Sequence, residues 1–307
     1  MLTNFFSKSN PVNFLILGAA MVIAYIFFQF STFNSGLELA ELLRVIAVSA
    51  LLVFTIFLLD FVVRKNNLTR KNTLAVFVFI AFVLMTPSVF GNTDILIAEV
   101  CCLFAQRRVF SFTSEKNSEK KILDASLWLL LASFFYFYSF LFFAAVYYSI
   151  LRMPKTSFRF LFIPPIAILA AFSIATSYFY LTENSFDWFW NFVSPIGLDF
   201  SAYNSFELLI PTALFLSAIV WIGFYRLFKV SSIMRKERPN FVVLLVILLS
   251  SVAVSFAAPV KDGSELYFLI PPLAIAMADY IENREEKYIS EIFLWVLMLL
   301  PGALIFL

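Results

Sequence analysis

Histidine is absent from this chain, which removes the usual zinc ligand, the base of a Ser-His-Asp triad and any HExxH helix together. Cysteine is nearly absent. Cys101 and Cys102 are the only two, and because they are adjacent they form neither a disulfide framework nor a CxxC metal site. Charge is scarce as well: 14% of the 307 residues are charged, against about 25% in an ordinary soluble domain. The net charge of +2 offers no basic surface of the kind nucleic acid requires, so no nucleic-acid partner is expected. No cofactor is assigned by these residues, and no metal ligand set is expected.

What is present in excess is apolar. Hydrophobic residues make up 62% of the chain and aromatics 19%, with 41 Phe against seven Gly. A soluble globule of this size still exposes a large surface that polar groups must cover, and the supply here is too small. Lipid is therefore the solvent. The expected fold class is an all-α integral membrane protein, a single polytopic transmembrane domain over residues 1–307.

The order of apolar runs and charge clusters gives an expected topology. Val12 to Phe30 is long enough to cross a bilayer, which takes about 20 helical residues, and no small-residue cleavage site follows it. A second span runs from Leu42 to Val63 and is followed by Arg64, Lys65, Arg70 and Lys71, which mark the cytoplasmic side. Leu74 to Phe90 leads to a Gly91-Asn92-Thr93 turn, and the span opened by Asp94 ends at Arg107-Arg108. Asp124 to Arg152 has basic flanks at both ends, and as one straight helix it would reach about 43 Å, beyond the ~30 Å hydrocarbon core. A pair of short helices folded back near Tyr136-Phe137-Tyr138 fits better than one tilted helix. The remaining spans are Phe160–Leu181, Phe206–Phe228, Phe241–Ala258, Tyr267–Ile281 and Ile292–Leu307. The sum is about eleven helices with the N-terminus in the cytoplasm of a bacterial inner membrane.

This map gathers the candidate functional groups at the non-cytoplasmic face. Glu38, Glu41, Asp94, Lys261, Asp262, Glu265 and Tyr267 all fall at or near it, contributed by different hairpins. The acidic loop Thr182 to Ser205 carries Trp188 and Trp190, spaced for a helix lying in the headgroup layer. Glu99 falls inside a span, where an ionisable group is costly, so it should face protein or water, either paired with Arg44 or as a neutral acid. Simpler roles compete with the functional ones. Glu38 and Glu41 suit the start of a helix, whose dipole favours acids, and Asp60, Asp124, Asp279 and Glu282 read as solvated residues at cytoplasmic ends.

The acidic first outer loop, the span opened by Asp94, and the polar hairpin feeding Tyr267-Phe268-Leu269-Ile270-Pro271-Pro272-Leu273-Ala274-Ile275-Ala276 together resemble the GT-C class of membrane glycosyltransferases. That resemblance implies transfer of a sugar from a polyprenyl-phosphate carrier at the outer face. Glu38 or Glu41, with Asp94, would be the catalytic acids. Lys261 would meet the carrier phosphate, and Glu265, Tyr267, Trp188 and Trp190 would line the substrate path. The chain departs from the class in being short, in lacking an adjacent acidic pair in its first loop, and in having no sizeable outer domain. The opening Met1-Leu2-Thr3-Asn4-Phe5-Phe6-Ser7-Lys8-Ser9 and the overall layout also resemble a family of multi-spanning membrane proteins from Bacteroidota that brings no known activity.

Two other classes follow from the residues. A non-catalytic subunit of a larger envelope membrane complex needs none of these acids, and Phe-rich faces suit packing on membrane-protein partners or lipid alike. Secondary transport is raised by an internal echo, since Phe160-Leu161-Phe162-Ile163-Pro164-Pro165 resembles Tyr267-Phe268-Leu269-Ile270-Pro271-Pro272 in the opposite direction. Proline's comfort in the first turn of a helix explains the same echo without symmetry.

Overall fold

A computed structural model describes residues 2–6, 9–32, 39–114, 116–153, 156–235, 237–284 and 286–304. Among these residues there is no strand. The helices in chain order are α1 (Leu2–Phe6), α2 (Pro11–Thr32), α3 (Leu39–Lys65), α4 (Leu74–Met85), α5 (Thr93–Phe110), α6 (Ser118–Phe135) and α7 (Phe143–Leu151). There follow α8 (Ile163–Glu183), α9 (Trp188–Phe192), α10 (Phe206–Lys229), α11 (Arg238–Ala257), α12 (Ile270–Glu282) and α13 (Lys287–Leu304). Five of them are long and apolar enough to cross a membrane, namely α2, α3, α8 with its leading turn, α10 and α11. Their outward faces are apolar: Leu15, Ile23 and Phe27 on α2, Leu169 and Ile174 on α8, and Val220, Trp221 and Phe224 on α10 are all exposed. Large side chains of this kind stand outward over whole helix faces where the surroundings are lipid or an apolar partner within it. The chain is a helical membrane protein.

At the centre lie two short helices. Nearly every residue of α4 and α12 is buried, and the two pack against each other. At 12 and 13 residues they measure about 18–20 Å, well short of the hydrocarbon thickness. Each is lengthened at the same end of the molecule by a 3₁₀ turn, Pro87–Gly91 after α4 and Ser264–Phe268 before α12, and these two turns touch. A five-residue 3₁₀ turn adds about 10 Å. Broken backbone at membrane depth is tolerated where protein surrounds it and its polar groups find partners. At the break after α4, the Thr86 N–H donates to the Val83 carbonyl at 3.0 Å and its hydroxyl to the Phe82 carbonyl at 3.2 Å.

Local chemistry sets the helix boundaries. The Asn92 side chain caps α5 by accepting from the Ile95 N–H at 3.3 Å. The Pro164-Pro165 and Pro271-Pro272 pairs occupy the opening turns of α8 and α12, where a missing N–H costs nothing. α8 is largely exposed whereas α12 is almost wholly buried, so the two proline-led helices share a capping device and not a structural role. The 124–152 stretch is interrupted, as expected. α6 ends at Phe135, Tyr136 is extended at φ −145° and ψ 103°, and a 3₁₀ turn, Phe137–Phe142, leads into α7.

Contacts between elements define two ends. At one end Arg70 and Asn72 bond Glu282, Arg108 pairs with Asp124, Arg226 pairs with Asp279, and Asn240 meets the Asn66 carbonyl. The other end gathers the 3₁₀ turns Pro87–Gly91, Phe137–Phe142, Ser201–Asn204 and Ser264–Phe268 with α9. Among the described residues, Arg44 and Lys261 are the cations of this second end; the rest belong to the first. Several acids of the first end are not the solvated groups expected from sequence. Asp279 bonds the buried Arg226 at 2.9 Å. Glu282 accepts from the Arg70 N–H at 2.7 Å and the Asn72 amide at 2.5 Å. Asp60 lies against Arg64 at 2.7 Å. Asp279 and Glu282 meet donors on neighbouring segments, whereas Asp60 meets Arg64 one turn on along its own helix.

Candidate functional site

The polar hairpin between α11 and α12 is the focus of the acidic end. Its turn is closed locally: Asp262 Oδ1 accepts from the Ser264 N–H at 3.0 Å and from its hydroxyl at 2.6 Å. Gly263 follows with φ +88°, a left-handed conformation that side-chain-bearing residues seldom adopt. A Cβ there would lie 2.6 Å from Leu208 Cδ2.

Lys261 turns inward. It is 5% exposed, and its ammonium donates to the Ser255 carbonyl at 2.8 Å and the Phe256 carbonyl at 2.6 Å. These are last-turn carbonyls of α11, left without intrahelical partners and carrying the negative end of the helix dipole. The ammonium also lies over the Phe200 and Phe256 rings at 5.3 and 5.7 Å. Burial lowers its pKa, and Glu265 pulls in the opposite direction.

Glu265 is buried, and its Oε1 accepts from the Tyr203 hydroxyl at 2.6 Å. Its Oε2 has no partner. The Tyr136 ring packs on Phe268 at 4.9 Å, and its phenol, itself unpartnered, has its pKa raised by burial and then by Glu265 and Asp262. Tyr138 donates to the Ser194 carbonyl at 2.6 Å, and the Gly197 N–H donates to the Ala258 carbonyl at 3.1 Å, so the 193–200 strap is tied to the same hairpin. Tyr136, Tyr138 and Tyr203 were not singled out from sequence as site residues. Only the turn at 136–138 carried a signal; Tyr203 carried none.

The remaining sequence candidates divide. Glu38 lies outside the described residues. Glu41 is half-buried in the first turn of α3, and Asp94 is exposed in the first turn of α5. These two helix starts are joined by Arg44, whose Nη2 donates to the Thr93 hydroxyl at 3.3 Å. Trp188 is a packing residue: it stacks on Phe179 at 5.3 Å and donates to the Thr176 hydroxyl at 3.2 Å. Trp190 is 75% exposed. Glu99 faces protein, as an acid in a span should, but Arg44 does not reach it. Both its oxygens are fully buried without a partner. The Tyr267 hydroxyl, also buried and unpartnered, belongs to the same neighbourhood, together with Thr55, whose own hydroxyl is given to the Leu51 carbonyl. Among the described residues no cluster of three acids or cysteines is arranged to hold a metal ion.

The family model that matches covers residues 1–306 and is described as a family of unknown function, DUF6427. The chain belongs to that family. No curated protein and no solved structure matches the chain. For this DUF6427 member the functional reading therefore rests on the two polar assemblies above, the capped hairpin at the acidic end and the unpartnered acid beneath it.

Proposed function

We propose that this protein is a polytopic subunit of a bacterial inner-membrane complex, without catalysis of its own. In this reading it crosses about eleven times, by α2, α3, α4 with its turn, α5, α6, α7 with its turn, α8, α10, α11, α12 with its turn, and α13. The cation distribution supports a cytoplasmic N-terminus, since the basic end holds all but two of the described cations. The observation that carries the reading is the engagement of Lys261. A phosphate-binding lysine keeps its ammonium free for the ligand, whereas this one is spent on the α11 carbonyls.

A second reading, a GT-C-like transferase using a polyprenyl-phosphate sugar, is favoured by the Arg44–Thr93 bond, which brings Glu41 and Asp94 to neighbouring helix starts. Gentle purification of the tagged full chain separates the two. A stoichiometric partner polypeptide that persists in E41A/D94A and is lost when Trp190 and Phe186 are replaced by Ser supports the subunit. A co-purifying polyprenyl phosphate without partner, released by K261M, overturns it.

A further inference from the structure

Glu99 lies about 9 Å along α5 from Thr93, inside the bundle. An ionised carboxylate there, without donor or cation, would cost several kcal/mol or more. Buried polar atoms lacking partners are few in folded proteins, and each calls for a cause such as an ordered water, an ion or a catalytic role. Some here lie at the basic end, among them those of Gln106, Ser149 and Asn240, but a group of them gathers between the acidic end and α5. Glu99 Oε1 and Oε2, Tyr267 OH, Ser139 Oγ, Tyr136 OH and Glu265 Oε2 all lack partners. Two 3₁₀ turns of the acidic end supply the last four or flank them: Ser264–Phe268 carries Glu265 and Tyr267, while Phe137–Phe142 carries Ser139 just after Tyr136. Tyr267 interacts electrostatically with Glu99, Ser139 meets Cys102 one turn along α5 from Glu99, and Tyr136 interacts with Glu265 and Asp262. Both turns pack against α5, and the Tyr136 ring lies on Phe268 at 4.9 Å, next to Tyr267, so these groups occupy the region between the hairpin and the buried acid.

From this geometry we propose that Glu99 is a proton-binding site, reached from the acidic end of the molecule along a file of polar groups through Tyr267, Ser139, Tyr136 and Glu265. The ligand is a proton, carried as the neutral carboxylic acid, with water joining the groups. The titratable groups facing Glu99 are Tyr267 from the hairpin turn and Cys101 and Cys102 on its own helix. On the neighbouring α3 the charges Glu41, Arg44, Asp60 and Arg64 occupy the helix ends, and on α6 Lys121 and Asp124 lie near the basic end, bonded to Ser111 and Arg108. No cation competes for the site among these elements. The inference is independent of the subunit reading, since either a silent or an active partner complex can use such a site.

Infrared spectroscopy of the full chain in lipid nanodiscs at neutral pH tests it. The carbonyl stretch of a protonated carboxyl is expected in the wild type and lost in E99Q, and transfer to deuterated buffer should shift it within the mixing time. Y267F and S139A should keep the band and slow its shift at least tenfold. Three outcomes would overturn the proposal: a spectrum unchanged by E99Q, a band that shifts only on unfolding, or an exchange rate that Y267F and S139A leave unaltered. If E99Q does not fold, the exchange rates of the other two variants still decide whether the file conducts protons.

Discussion

Arg226 of α10 and Asp279 of α12 form a buried ion pair, with Nη2 and Oδ2 2.9 Å apart and the arginine 1% exposed. The guanidinium also donates to the Phe241 carbonyl of α11 at 2.9 Å and lies over the Phe241 ring at 4.0 Å, so one side chain ties three helices at the basic end. Removing one member strands the other charge. R226A should destabilise the protein by about 3–5 kcal/mol, whereas the apolar double variant R226M/D279L should recover most of that loss. Thermal unfolding of both in the same detergent checks it, and equal destabilisation by the two would show that lost packing, not the stranded charge, accounts for the cost.

Glu282 accepts from the Arg70 N–H and the Asn72 amide at the basic end, just past the apolar run Tyr267–Ile281, yet burial outweighs those donors and its pKa is raised from 4.5 to about 7. A carboxyl whose folded pKa is raised binds its proton more tightly when folded. Its contribution is fully present below pH 4.5 and fades as pH rises through about 7. Thermal midpoints measured across this window should fall with rising pH in the wild type. In E282Q the slope should flatten, and an identical slope in both proteins would assign the effect to another group.

The role of Lys261 as a cap gives a stability effect independent of ligands. K261M removes two charge-assisted bonds to the end of α11 and should cost about 1.5–3 kcal/mol. K261R, which can still donate to carbonyls, should cost less. Calorimetric scans of lipid-free and lipid-supplemented protein should give the same difference, and a loss seen only with polyprenyl phosphate present would point to a phosphate site instead.

Gly197 permits a close backbone approach between the 193–200 strap and the hairpin. A Cβ on it would sit 2.0 Å from the Pro259 carbonyl oxygen, too close for any relaxation that keeps the Gly197–Ala258 bond. G197A should lower the unfolding temperature and make the strap accessible to protease. G223A, where no atom lies within 4 Å of the added Cβ, should be neutral or slightly stabilising within its helix.

Much of this architecture is written in the sequence as alternation of apolar runs with basic clusters. The break at Tyr136, the cap at Asn92 and the proline-led starts of α8 and α12 follow from local rules. Which helices are central does not. α12 and α8 are comparably apolar, yet one is buried by protein and the other largely faces outward, because lipid and protein core select the same side chains. The site was legible in part. The hairpin 258–268 and the intramembrane Glu99 stand out by polarity, whereas the inward turn of Lys261 and the reach of Tyr203 to Glu265 depend on where distant segments meet.

The central claim is that the end carrying the 3₁₀ turns and acids and the end carrying the arginines and lysines lie on opposite sides of one membrane. Single cysteines placed at Asp187, Ser201, Asn117 and Ser232, in a background lacking Cys101 and Cys102, can be labelled in intact cells with a membrane-impermeant maleimide. The account predicts labelling at 187 and 201 alone, with 117 and 232 reacting only after the membrane is opened. Reaction of all four from the same side would contradict it.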